Sequence, residues 1–238
     1  MKLLILFAIV FALVTVGSGQ AKILTPGSEF AAERELAKLA IKAHGGEKLR
    51  SMKTLVIRGT ADVTVSTQRI PVTFVNIFAG DRYRFELTNP FQPIEQVSDG
   101  TTTTSSARGG FTLPPVNRLG FPVLQRIGDT GFIVTSLRDN KKKQRGFRVT
   151  SPEGYFNDFF LDPKTNQIKG YDSTFAIDGR TVKTSVEIDK FRMVDGVLVP
   201  ERYVQRFDLD QFTVYASFKA SEILVNSELS DDIFTVGK

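Results

Sequence analysis

From residue 54 onward the chain alternates apolar and polar side chains with a period of two, segment after segment. A period of two places successive side chains on opposite faces of a strand, so this pattern commits most of the chain to half-buried sheet. Leu55, Ile57, Ala61, Val63 and Val65 share one face, opposite Arg58, Thr60, Asp62, Thr64 and Ser66. Tyr83, Phe85 and Leu87 alternate with Arg82, Arg84 and Glu86. Val182, Val186 and Ile188 oppose Lys183, Ser185, Glu187 and Asp189, while Phe212, Val214, Ala216 and Phe218 oppose Thr213, Ser217 and Lys219. Residues 69–79 are apolar on both faces, with Ile70, Val72, Phe74 and Phe78 against Val75 and Ile77, which predicts a strand covered on both sides. Asn89-Pro90 breaks one strand, and Asp99-Gly100, Asp178-Gly179 and Asp195-Gly196 read as hairpin turns. Pro200 marks an edge, a bulge or a strand start. Ten or so strands with no intervening helices imply an antiparallel meander.

Two segments break the alternation. Between Ser28, a candidate N-cap, and Gly45-Gly46, a stop signal, Ala32, Leu36, Leu39 and Ala43 recur at helical spacing and predict one amphipathic helix. A short helical turn is expected at residues 47–49. Residues 109–128 carry Pro114, Pro115, Pro122 and several glycines, so they cannot form a regular central strand. The same stretch holds Phe111, Leu113, Val116, Leu119, Phe121, Val123, Leu124 and Ile127. A proline-broken segment this apolar should cover another apolar surface, as a short helical flap. The pattern fits either a two-sheet sandwich with a filled interior or a strongly curved sheet that encloses a ligand space. With 20 Phe, 5 Tyr and no Trp, phenyl groups can line such a space without needing hydrogen-bond partners. The densest aromatic cluster is Tyr155, Phe156, Phe159 and Phe160.

Several functions are excluded or disfavoured by what the chain lacks. Without cysteine it has no disulfide, thiol nucleophile or thiolate metal site, and it cannot be a cysteine-anchored lipoprotein. With one histidine it has no multi-histidine zinc site; His44, beside Gly45-Gly46, is expected to bond the last carbonyls of the helix. No metal or other cofactor is expected. Asp158 and Asp162 are candidates for an acid–base pair, but Asp162-Pro163 reads as the start of a turn, so no enzyme is expected. The net charge of +5 is spread along the chain apart from Lys141, Lys142, Lys143 and Arg145, read as a solvated hairpin tip or a contact for a partner. Lys2, the apolar run at residues 3–16 and the small residues Gly17, Ser18, Gly19 and Ala21 predict a signal segment of residues 1–21. A retained N-terminal anchor is the alternative. With export, nucleic acid is not expected as a partner, and residues 22–238 suit one domain.

Residues 81–101 resemble the outer-membrane lipoprotein carrier and lipoprotein-sorting family (LolA/LolB-like). The resemblance rests on the strand Arg82-Tyr83-Arg84-Phe85-Glu86-Leu87-Thr88, the Asn89-Pro90 break and the hairpin Val97-Ser98-Asp99-Gly100. Ala43-His44-Gly45-Gly46 with Leu49 and Leu55, and the ending Val225-Asn226, Leu229 and Asp232-Ile233-Phe234, are also similar to that family. The resemblance implies a mainly β fold, an unclosed antiparallel β-barrel with an N-terminal helix and a short helical lid. It further implies a soluble periplasmic carrier that holds lipoprotein acyl chains or another lipid, and transfer proteins of the inner or outer membrane as partners. A monomer is expected. An envelope sensor that binds a partner protein through the same half-barrel is the alternative.

On this reading the cavity wall includes Leu55, Ile57, Val63, Val65, Tyr83, Phe85, Leu87, Phe121, Val123, Leu124, Tyr155, Phe159, Phe212, Val214 and Phe218. The lid includes Pro114, Pro115, Val116, Leu119, Phe121, Leu124 and Ile127. Two features depart from the family. Thr101–Thr104 and Ser105 stand where the carriers have aromatic residues, and Ala79-Gly80 replaces the basic residue that helps close the lid. Arg82 or Arg84 is expected to supply that latch.

Overall fold

Twelve strands form one antiparallel sheet in the order β5-β4-β3-β2-β1-β12-β11-β10-β9-β8-β7-β6, a meander running outward from each side of a central β1–β12 pair. This computed structural model describes residues 29–107, 114–138, 143–177, 180–209 and 212–235. The expected signal segment, the Ser28 cap, Phe111, Leu113, Lys141, Lys142, the Asp178-Gly179 turn and the side chain of Phe212 lie outside what is described. The strands are β1 (Leu55–Val65), β2 (Gln68–Ala79), β3 (Arg82–Thr88), β4 (Ile94–Ser98), β5 (Thr103–Ser105), β6 (Ile133–Thr135), β7 (Gly146–Thr150), β8 (Phe156–Leu161), β9 (Ile168–Ile177), β10 (Arg180–Val194), β11 (Val197–Leu209) and β12 (Phe212–Val225). The ends β5 and β6 do not pair with each other, so the curved sheet is an unclosed barrel.

Register carries the period-two pattern across the sheet. Leu55, Ile57, Ala61 and Val63 stand opposite Phe78, Asn76, Val72 and Ile70 on β2. On the other side Ala61, Val63 and Val65 face Phe218, Ala216 and Val214 on β12. One continuous concave face results, and its buried members form the main core. The double apolar character of β2 has a separate cause. Its outer residues Val75, Ile77 and Ala79 are covered by Leu229, Ile233 and Phe234, the last two on a 3-10 turn at Asp231–Phe234. Pro200 sits inside β11 opposite Phe191, where the β10–β11 register shifts, so it marks a bulge.

Helix α1 (Ala31–Ala43) lies against β6 and β7. Its buried residues are Ala37, Ala40 and Ile41, with Leu36 half-buried, whereas Ala32 and Leu39 are exposed. The expected stripe is therefore rotated by about one position. Two alanines let the helix axis approach the sheet closely, and Leu39 would hold it off.

The helix ends on His44, and here the expected role is corrected. The ring does not cap helix carbonyls. Nδ1 is 2.8 Å from the Leu198 carbonyl, and Nε2 accepts the Ile168 backbone N–H at 3.0 Å. The Leu198 N–H in turn donates to the His44 carbonyl at 3.1 Å. The fully buried imidazole thus pins α1 to the starts of β9 and β11, which requires the neutral Nδ1–H form. Burial, outweighing the Leu198 bond, pushes its pKa below the ordinary value of 6.5. The unfolded chain therefore binds the extra proton first, and stability falls as pH drops below about 6.5. Urea unfolding at pH 7.5 and 5.5 should show that loss, at a slope of at most about 1.4 kcal/mol per pH unit. His44→Asn should be less stable at pH 7.5 and lack this part of the slope.

Candidate ligand cavity under the flap

Pro122 and the two helical turns on either side of it lay the flap over the concave face. One turn is a 3-10 turn at Val116–Arg118, the other is α3 (Val123–Arg126). Pro122 directly precedes α3, where its missing N–H costs nothing. Phe121, Val123, Leu124 and Ile127 are buried and join the core cluster. Pro114 is buried, and Pro115, Val116 and Leu119 are half-buried.

Polar contacts hold the flap at three places. Near its first turn Arg118 Nη2 meets Asp81 Oδ1 at 2.9 Å and Arg118 Nε meets Glu153 at 2.9 Å. Arg126 Nη1 reaches the same Asp81 oxygen at 2.6 Å, and Asn117 donates to the Asp81 carbonyl at 3.1 Å. Hydrogen bonds from Arg126 and then Arg118 hold the Asp81 carboxyl below its usual range. In the middle the buried Asn157 accepts the Gly120 N–H at 2.7 Å and donates to the Arg118 carbonyl at 3.0 Å. At the far end Arg50, from α2 (Glu47–Arg50), donates to the Ile127 carbonyl, and Gln125 donates to the Met52 carbonyl.

Between flap and sheet lies a hollow of about 130 Å³. Its wall includes Leu55, Ile57, Phe78 and Phe85 from the sheet and Val116, Leu119, Phe121 and Pro122 from the flap. Phe218 lines it too, edge-on to Phe74 at 5.1 Å and stacked on Tyr203 at 4.8 Å. Of the wall residues expected from sequence, the structure brings Leu55, Ile57, Phe85, Phe121 and Phe218 together here. Val63, Val65, Leu87 and Val214 lie half-buried on the same concave face, outside the hollow. Tyr83 is buried against Gln96, whose Nε2 donates to the Tyr83 hydroxyl at 2.7 Å. Tyr155 is half-buried just before β8. Val123, Leu124 and Phe159 have no exposed surface and belong to packed interior. The hollow also has polar lining outside the wall expected from sequence: Asn76, Tyr203 and Gln205. Each is a polar group at an inward position of an otherwise apolar face, and that interruption was the available signal.

The expected latch is corrected. Because Tyr83 and Phe85 point inward, Arg82 and Arg84 point out to the convex face, away from the flap. Arg82 reaches Asp231 at 3.1 Å and lies 4.7 Å over the Phe234 ring. Arg84 pairs with Glu86 and Glu95 and donates to the Ile233 carbonyl at 3.2 Å. Both clamp the C-terminal turn. The ion pairs that hold the flap have the opposite polarity to the expected one, with a carboxylate on the rim and arginines on the flap. Of the basic run, Lys143 is exposed, while Arg145 donates to Asn166 at 2.6 Å. Asp158 is held by two 2.6 Å bonds from Arg148, and Asp162 accepts the N–H groups of Lys164 and Thr165 in a turn. Among the described residues no three potential metal ligands gather, and no helix is long and apolar enough to cross a membrane.

No family model matches the sequence, and no curated protein does. Solved structures share its fold. A LolA superfamily protein from Nitrosomonas europaea aligns with TM-score 0.56 at 11% identity, covering 86% of this chain and 97% of that one. A DUF1329 family protein from Desulfovibrio piger aligns with TM-score 0.51 at 11% identity, covering 85% and 97%. The fold is LolA-like.

Proposed function

We propose that this chain, built on the LolA-like fold, is an exported carrier or binding protein that holds acyl chains of a lipoprotein or another lipid beneath its flap. Residues 1–21 are removed on export, residues 22–238 form one monomeric domain in the periplasm, and its partners are the proteins that deliver or receive the lipid. It performs no catalysis. The observation that carries this reading is the largely apolar hollow between flap and concave face.

Each methylene moved from water into such a site stabilises the complex by about 0.8 kcal/mol. The hollow, at about 130 Å³, has room for a group of about benzene size, so a long chain enters only as the flap rises. The flap is suited to rise. Its main ion pairs share one half-exposed carboxylate, Asp81, and such pairs contribute about 0.2–1 kcal/mol each. Asn117 Oδ1 and Arg118 Nη1 are buried without a partner among the described residues, which weakens the closed position further.

Asp81→Asn should therefore speed uptake and release of a fluorescent diacylglycerol by roughly three- to tenfold, with little change in folding stability. Stopped-flow fluorescence checks the rate. Unchanged kinetics would remove the latch from the account, and no uptake by the wild-type chain would remove the lipid.

A further inference from the structure

We infer that the hollow recognises an uncharged hydrogen-bonding linkage, an ester or amide at the head of an acyl chain, through Asn76, Tyr203 and Gln205, and rejects a free carboxylate. The inference rests on the lipid-binding reading above. The inward face of β2 runs Ile70, Val72, Phe74, Asn76, Phe78, apolar at every position but one. On β11 the inward residues Tyr203 and Gln205 stand opposite Ile188 and Val186 of β10 and opposite Phe218 and Ala216 of β12. Three strands apart in the order, these two places meet across the curved sheet at the same hollow.

Their hydrogen-bonding capacity is largely unused. Among the described residues the Asn76 amide and the Tyr203 hydroxyl make no side-chain hydrogen bond. Gln205 Nε2 donates to Thr184 Oγ1 at 2.9 Å, and Thr184 donates to the Arg206 carbonyl at 3.0 Å. That relay fixes the Gln205 amide and leaves its oxygen as the free acceptor. Tyr203 is steadied by its stack on Phe218, and burial keeps its phenol protonated. The hollow thus offers N–H and O–H donors for a carbonyl oxygen and one acceptor for an amide N–H. A plain hydrocarbon would leave these groups unmet, which is what makes such sites selective.

No Asp, Glu, Lys, Arg or His lines the hollow. A carboxylate brought there would lose its water and gain no counter-charge. Ester and amide linkages carry the same hydrogen-bonding oxygen without that cost.

Isothermal titration of the exported chain with monodecanoylglycerol, N-methyldecanamide and decanoate at pH 8 tests this. The ester and amide should bind about tenfold or more tighter than decanoate. Asn76→Leu/Gln205→Leu should bring that ratio close to one while still binding chains, and Tyr203→Phe, which removes only a hydroxyl, should lower it part of the way. Decanoate binding as tightly as the ester, or a ratio unmoved in the variants, would overturn the subsite and leave the lipid reading standing. No binding of any of the three would overturn the lipid reading and the subsite with it.

Discussion

Gly120→Ala should dislodge the flap. Gly120 has φ +64°, and a Cβ placed on it would stand 2.3 Å from Cζ of Tyr171 and 2.4 Å from the Tyr171 hydroxyl. The clash is with an inward ring of β9 that lines the hollow and cannot swing away without vacating it. A left-handed backbone and an overfilled contact each cost about 1–3 kcal/mol, more than the exposed ion pairs contribute. Hydrogen exchange at residues 116–127 should accelerate strongly while the β1–β12 pair stays protected. Tyr171→Ala in the same chain should recover part of the loss by making room. If exchange in the flap is unchanged in Gly120→Ala, the flap is not seated on Tyr171.

Phe159→Ala should cost about 3–5 kcal/mol of stability. Phe159 has no exposed surface, stands opposite Phe147 and Tyr171, and lies 5.5 Å and 5.9 Å from their ring centroids. Sequence reading places this residue on the cavity wall, where a charged substitution would damage lipid uptake more than folding. In the structure it sits in solid core, so Phe159→Glu should abolish folding and uptake together. Urea unfolding of the alanine variant measures the cost; a loss under about 1 kcal/mol would contradict close packing there.

The contrast between Phe159 and Phe85 shows what alternation can and cannot reveal. Period two says which residues face inward, and β1, β3, β10 and β12 follow it. It does not say how far across the curved sheet the opposite inward residue lies. Phe85 lines the hollow, whereas Phe159, with no exposed surface, is packed beside the rings of its cross-strand neighbours Phe147 and Tyr171, a fact of tertiary placement. The flap itself was legible from Pro114, Pro115 and Pro122 set among apolar residues, since nothing else suits so greasy and so broken a segment. The latch was not. Arg82 and Arg84 lay in a family-like strand, yet their register turns them to the convex face, where Asp231 and Phe234 take them. Asp81, one residue earlier in a turn, has no local pattern that foretells two arginines arriving from residues 118 and 126. The role of His44 is equally non-local: its partners, Ile168 and Leu198, are more than a hundred residues away.

Native mass spectrometry of the chain, exported by its own cell and purified without detergent, tests most directly that the flap-covered hollow is a lipid site. A lipid site there gives a mass above that of the bare polypeptide, the difference released on denaturation as an acyl lipid. The delipidated chain should also regain mass when mixed with diacylglycerol. A bare mass in both experiments, from a chain that is folded, would contradict it.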